Sequence, residues 1–338
     1  MAAGPVRRRA PRRSGRTPGR RQRGAAIVTV LLIVTLATVV VSNLFWRQHV
    51  AVRSVENRLA LAQTRWIERG TIDYARMVLA VDQRMTGAID HLGEPWARKI
   101  EPTRLDETAT GGARLDDQSR EPAMLAGQVH DAQSRLNLNN LVVNGAPDPK
   151  SVKTFERLLG QLGRPPALAE ALVARLLQAS TVPAAAGQPA RRPTALPMKR
   201  LADLREVPGF DADTVLALEP FAIFLPLEAG RTPINLNTAT PELILAGLEA
   251  LGDNLAMARL LVEQRTRRQG FFRSLAEVSS SMQSVELNLS GEADRWSVGT
   301  NWFLLSEVIR FERVVSRTDT LLARRGATNV EVVWQDRY

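Results

Sequence analysis

From Ala25 to Trp46 no side chain carries a charge, and Val, Leu, Ile and Ala dominate the run. As a helix those residues reach roughly 33 Å at about 1.5 Å per residue, enough to cross a bilayer core. The sequence holds no second run of this kind. Past it the apolar positions keep a helical period. Val52, Val55, Leu59, Ala62 and Trp66 recur at alternating spacings of three and four, with arginines and Glu56 between them. No proline intervenes before Pro95, so the pattern predicts one helix from about residue 25 to about residue 83, its apolar seam laid against the head. A separate anchor joined to an ordinary amphipathic helix also fits, with Gly70 as the bend.

The period is then lost. Residues 86–128 are rich in Gly, Pro, Asp and Thr, which predicts loops with short strands. In 127–142, Leu136 and Leu138 alternate with Asn137 and Asn139 as in a half-buried strand, and Asn140 suits the cap of a helix begun just after it. Residues 150–162 and 167–179 read as amphipathic helices split by Gly163 and Pro165-Pro166. Residues 181–197 hold four prolines and read as a linker. Two short helices flank Pro208-Gly209 within 201–226. Asn235-Leu236-Asn237 then repeats the pattern of Asn137-Leu138-Asn139. Thr240 as cap and Pro241 in the first turn open another helix, and helices continue to about residue 290. From Asn301 the pattern turns to strand, through Phe303, Leu304, Val308, Ile309, Phe311, Val314 and Val315 to a last strand at 330–334. The order of long helix, strands, helical block and strands predicts an α+β domain with a helical insertion.

Charge changes the picture at one end only. The net charge of +10 suggests a nucleic-acid partner, but nine arginines (7, 8, 9, 12, 13, 16, 20, 21 and 23) precede the apolar run without one acidic residue, leaving about +1 for the rest. The basicity therefore reads as a topology signal, placing the N-terminus in the cytoplasm and everything beyond Arg47 across the membrane. The 292 residues of 47–338 suffice for a well-buried core, and the lack of cysteine excludes disulfides and thiolate chemistry.

Enzyme signatures are not found. His49, His91 and His130 have no metal-ligand spacing, and neither a nucleophile elbow nor a phosphate loop occurs, so no catalytic or cofactor-binding residue is named. Residues 234–278 resemble tandem helix-hairpin-helix DNA-binding modules. Yet the turn Glu249-Ala250-Leu251-Gly252-Asp253-Asn254 has one glycine and flanking carboxylates, and the turn at Pro208-Gly209 lies beside Asp211, so phosphate would be repelled. A membrane-anchored DNA-binding protein of a competence-like system is the alternative reading; nucleic acid is not the expected partner.

Gly24 stands between Arg23 and the apolar run that Ala25 begins. The junction resembles the leader of type IV pilins and pseudopilins, which prepilin peptidase cuts after the glycine; a weak small-residue site near Ser42 leaves a signal peptide as the lesser reading. With the runs at 23–48, 94–97 (EPWA), 131–141 (DAQSRLNLNNL), 204–210 (LREVPGF) and 234–246 (INLNTATPELILA), the chain resembles the K-type minor pseudopilins of type II secretion over nearly its whole length.

That resemblance implies an α+β pilin-like fold with a long N-terminal transmembrane helix, an antiparallel sheet and a large inserted helical domain of helix-hairpin-helix or SAM-like type. The expected boundaries are a leader at 1–24, membrane helix at 25–46, pilin-like parts at 47–148 and 291–338, and the insertion at 149–290. It implies a bacterial inner-membrane protein with a periplasmic head, assembled with I- and J-type minor pseudopilins and other secretion components at a pseudopilus tip. Cleavage at Gly24 would leave Ala25 as the methylated N-terminus.

Thr29 would then occupy the fifth position, where most pilins carry a glutamate that pairs with the preceding subunit. An unpaired carboxylate in lipid costs about 2.5–3.5 kcal/mol, so a neutral residue suits a first subunit; a membrane threonine of no consequence is the plainer explanation. A head of this size has a radius of gyration near 19 Å and fits only at a filament end. Val52, Val55, Leu59 and Trp66 are the expected seam against partner helices. Calcium is a possible ligand by resemblance, with Asp116-Asp117, Asp203, Asp211 and Asp213 the acidic candidates, but no stretch has the spacing of a calcium loop, so no metal ligand is assigned.

Overall fold

A computed structural model describes residues 22–105, 122–181, 192–227, 230–267, 270–282, 285–326 and 328–338. The chain divides after Leu61 into two units. Helix α1 (Gln22–Thr86) runs through the boundary without a break, and Gly70 does not interrupt it. From Ala25 to Trp46, in the first unit, the helix is exposed and apolar. Its hydroxyls turn inward to their own backbone, as apolar surroundings demand: Thr35 donates to the Leu31 and Leu32 carbonyls and Thr38 to that of Val34.

The second unit is built on a five-stranded antiparallel sheet. Its strands are β1 (Ile100–Arg104), β2 (Met124–Asp131), β9 (Trp302–Phe311), β10 (Val314–Arg324) and β11 (Val330–Arg337), adjacent in that order. Phe303 and Leu305 face α1, where they meet Ile72, Ala75 and Leu79. Trp302 and Leu304 point the other way, into a cluster with Ile223, Leu225 and Leu321. Both faces are covered, which is why Trp302–Leu305 reads as an unbroken apolar run where a half-buried strand would alternate.

Between Asp131 and Trp302 the chain leaves this sheet and builds the helical block. Its elements are β3 (Leu136–Asn137), β4 (Val142–Val143), β5 (Ala146–Pro147), α2 (Pro149–Gln161), α3 (Leu168–Ala179), α4 (Ala212–Leu218), β6 (Ala222–Ile223), β7 (Ile234–Asn235), α5 (Pro241–Gly247), α6 (Leu255–Arg267), α7 (Leu275–Ser281) and β8 (Trp296–Ser297). Side-chain caps start four of the helices: Asp148 on α2, Asp211 on α4, Thr240 on α5 and Ser274 on α7. Phe155, Leu158, Leu172, Leu243, Leu261 and Phe272 share one core. The block is wider than the expected 149–290, because Leu136–Asn137 pairs in parallel with β6 and Ile234–Asn235 with β8, neither joining the main sheet.

The half-buried strand expected over 136–139 is corrected too. It has two residues, both buried, then folds into a 3-10 turn at Leu138–Leu141. Asn140 does not cap a helix; its amide donates to the Thr232 carbonyl, and its oxygen accepts from the Thr232 amide. The cap of the 3-10 turn is Asn137.

Candidate functional site

Gly24 and Ala25 lie exposed in the opening turns of α1. A Cβ built on Gly24 would meet no atom within 4 Å, so packing gives no reason for a glycine that costs a helix about 1 kcal/mol relative to alanine. Five residues on, the Thr29 hydroxyl donates to the carbonyls of Ala25 (3.1 Å) and Ala26 (2.9 Å), satisfying its one polar group within the helix.

The seam residues are exposed. In the first unit Val52, Val55 and Leu59 are each half or more open to solvent; in the second Trp66 is 72% exposed. For Trp66, the expectation that the seam lies against the head is therefore corrected. In the second unit the inward face of α1 is instead Thr64, Glu68, Thr71, Ile72, Ala75, Leu79 and Asp82, all buried. The exposed side continues from Trp66 through Gly70, Tyr74, Met77 and Val81, whose spacings of four, four, three and four set them on one helical face. Gly70 leaves a gap in that stripe, since a Cβ there would meet nothing within 4 Å.

Charged groups fasten the inward face. Glu68 accepts from Thr318 Oγ1 (2.8 Å), from Arg337 Nε (2.9 and 3.0 Å) and Nη2 (2.7 Å), and from the Gln335 amide. Close by, burial pushes the Glu307 carboxyl up to about 8, the Thr71 hydroxyl opposing and the Glu68 charge adding. Lower on the helix, Arg324 donates from Nη2 to both Asp90 oxygens (2.8 and 2.6 Å) and from Nη1 to Asp82 at 3.5 Å. Burial and the neighbouring charges of Glu94 and Asp90 raise Asp82 to about 7. Burial raises Asp90 to about 6 against the pull of Arg324.

Asp82, Asp90 and Glu94 each bring a carboxylate oxygen within 4.8 Å of the others, a donor set that a cation could use. The Arg324 guanidinium pairs with Asp82 and Asp90, so two of the three already belong to a buried ion network. Asp90 and Glu94 lie beyond the end of α1, and nothing in the sequence pattern separates them from solvated charges. The only available signal was that Asp82 falls on the same helical face as Thr64, Glu68, Thr71 and Leu79. Of the acidic candidates named from sequence, Asp116 and Asp117 lie outside the described residues. Asp203 accepts from the amides of Lys199 and Arg200, and Asp211 caps α4; they form no shared cluster.

The asparagine repeat is a pair of latches. Asn137 donates to the Leu225 carbonyl (3.1 Å) and Thr232 Oγ1 (3.0 Å) and accepts from the Leu225 amide (2.9 Å). Asn235 donates to the Asp90 carbonyl (3.1 Å) and Asp131 Oδ2 (2.8 Å), fixing the block to the loop after α1. Asn237 holds Phe272 through both its amide and its carbonyl and also bonds the Val298 carbonyl. Deeper still, Arg265 donates to the Leu236 and Ala239 carbonyls, and burial lowers it to about 10.

The hairpin at 249–254 turns its hydrogen-bonding groups inward. Gly252 and Asn254 donate their amides to Glu249 and Leu251 carbonyls, and Glu249 and Asp253 pair with Lys153 and Arg157. Those amides are not aimed at a phosphate. The histidines serve locally: His91 stacks on Phe271 at 4.0 Å and accepts from the Gly93 amide, His130 sits in β2, and His49 is exposed on α1.

Comparison with known proteins agrees with this arrangement. A family model described as Type II secretion system (T2SS), protein K matches residues 134–227. A Type II secretion system protein K from Pseudomonas aeruginosa is 33% identical over 313 residues, covering 86% of this chain and 85% of the relative. One from Pectobacterium carotovorum subsp. carotovorum is 28% identical over 86% of this chain and 89% of the relative. Among solved structures, the GspK-GspI-GspJ complex from the enterotoxigenic Escherichia coli type 2 secretion system contains a chain of similar fold. The TM-score is 0.61 at 22% identity, covering 84% of this chain and 97% of that one.

Proposed function

The chain belongs to the type II secretion system protein K family, minor pseudopilins of that system, and from that premise we propose that it is the first, capping subunit of the pseudopilus. The observation that carries this is the exposed apolar stripe on α1, Trp66 to Val81, on a unit whose own core is already complete without it. Exposed apolar faces of this kind are covered by partners. The similar chain in the Escherichia coli structure is crystallised with GspI and GspJ, and the corresponding I- and J-type pseudopilins are the partners proposed here.

Thr29 supports the first position, because its polar group is satisfied within α1 and needs no amine from a preceding subunit. In this reading prepilin peptidase cuts after Gly24, Ala25 becomes the methylated N-terminus, and α1 anchors the chain in the inner membrane. The arginine-rich leader then lies in the cytoplasm and the head in the periplasm. Its role is structural, without catalysis or a required cofactor.

The chain has no cysteine, so introduced ones report cleanly. Single cysteines at Trp66, Tyr74 or Met77 are expected to crosslink to cysteines on the partners' α1 helices in membranes. Cysteines on the buried face, at Ala75, are expected not to. Equal crosslinking from both faces, or none from the stripe, would refute the contact.

A further inference from the structure

A second surface of the same helix is strongly basic. Between α1 and the edge strand β11 lies a cavity of about 340 Å³ with Ile72 and Val332 in its walls. Arg65, Arg69, Arg76 and Arg337 line it, against two carboxylates, Glu68 and Asp73. Arg337 is committed to Glu68, and Arg76 to Asp73 at 3.1 Å and to the Val330 carbonyl at 2.7 Å. Arg65 and Arg69 are exposed, and no carboxylate among the described residues pairs with either. One helical turn apart, they present two guanidinium groups to the same space.

We propose that this groove receives a carboxylate-bearing segment of a partner pseudopilin head, whose Asp or Glu side chains meet Arg65 and Arg69. The inference rests on the reading that α1 lies against such partners, and it assigns a second contact beside the apolar one. Complementary charge selects the occupant: the groove keeps two uncommitted positive charges, and guanidinium forks match carboxylates bidentately. A walled groove between helix and strand admits individual side chains, which favours a polypeptide over the flat charge of a lipid surface. Such contacts at an interface edge act on encounter rate and register more than on lifetime. The stripe from Trp66 to Val81 would govern lifetime.

The test follows association of the full chain in detergent micelles with the I- and J-type partners, by surface plasmon resonance at about 50 and about 500 mM NaCl. For the unsubstituted chain the association rate is expected to fall about tenfold with salt. R65E/R69E should associate slowly at both salts, R65Q/R69Q should fall between, and dissociation should change by less than about twofold. W66E should do the reverse, raising dissociation. If W66E weakens binding while R65E/R69E matches the unsubstituted chain at both salts, the groove inference fails and the partner reading stands. If no partner binds at all, the partner reading itself fails. Loss of binding to phosphatidylglycerol vesicles in R65E/R69E, with partner association unchanged, would overturn the proposal in favour of a membrane contact.

Discussion

Single residues in this chain carry more than packing shows. Asn137 makes four hydrogen bonds within a buried turn, two to the Leu225 backbone, one to Thr232 and one from the Asn139 amide. Asn137→Ala strands those groups and is expected to cost about 3 kcal/mol, read as a shift in the urea midpoint; a change below about 1 kcal/mol would show that water replaces the side chain. Glu307 gives a pH prediction with a definite sign. Its folded value of about 8 stands above the ordinary 4.5, so the fold holds a proton that the unfolded chain has lost. The stability tied to that proton is present below about pH 4.5 and lost as pH rises through about 8, and Asp82, at about 7, adds in the same direction. Melting temperature should therefore fall between about pH 5 and pH 9, and Glu307→Gln should flatten the fall. Equal slopes in both would mean that Glu307 titrates normally. Neither Glu307 nor Arg324 was legible as buried from sequence, because strand charges normally face water, and only the completed sheet shows α1 lying over them.

Among elements, the long helix, the terminal strands and most of the helical block were legible, since periods of 3.6 and 2 survive in the sequence and Thr240-Pro241 announces its helix. The short strands were not. Leu136–Asn137 is fixed by its distant partner Ala222–Ile223, and no local pattern encodes that pairing. The orientation of α1 was misread for a related reason. In the second unit Trp66 faces outward while the inward face carries Glu68, Thr71 and Asp82, so hydrophobicity alone assigns the wrong side. The same helix contains Thr29, inside the apolar run, where an unpaired carboxylate would be costly. Thr29→Glu introduces a demand for a preceding subunit. It should lower secretion of a folded substrate about tenfold or more at unchanged membrane levels, and unchanged secretion would show the position to be indifferent.

For the whole molecule, the capping reading proposed above rests also on the helical block, whose bulk would keep this chain from repeating along a filament. The block is inserted between β2 and β9, bolted to the loop after α1 by Asn235 on the Asp90 carbonyl and Asp131, and carries its own core. Its scaffold resembles a DNA-binding hairpin, yet at the 249–254 turn the amides of Gly252 and Asn254 are bonded internally and Glu249 and Asp253 are paired. In the capping reading this chain joins one copy of each partner through the exposed face of α1 and ends the assembly there. Multi-angle light scattering of the full chain mixed with the I- and J-type pseudopilins in detergent measures it directly. The expected result is a single species with one copy of each, which Leu59→Glu or Trp66→Glu dissociates. Open-ended polymers containing many copies of this chain, or a one-to-one-to-one species indifferent to both substitutions, would contradict it.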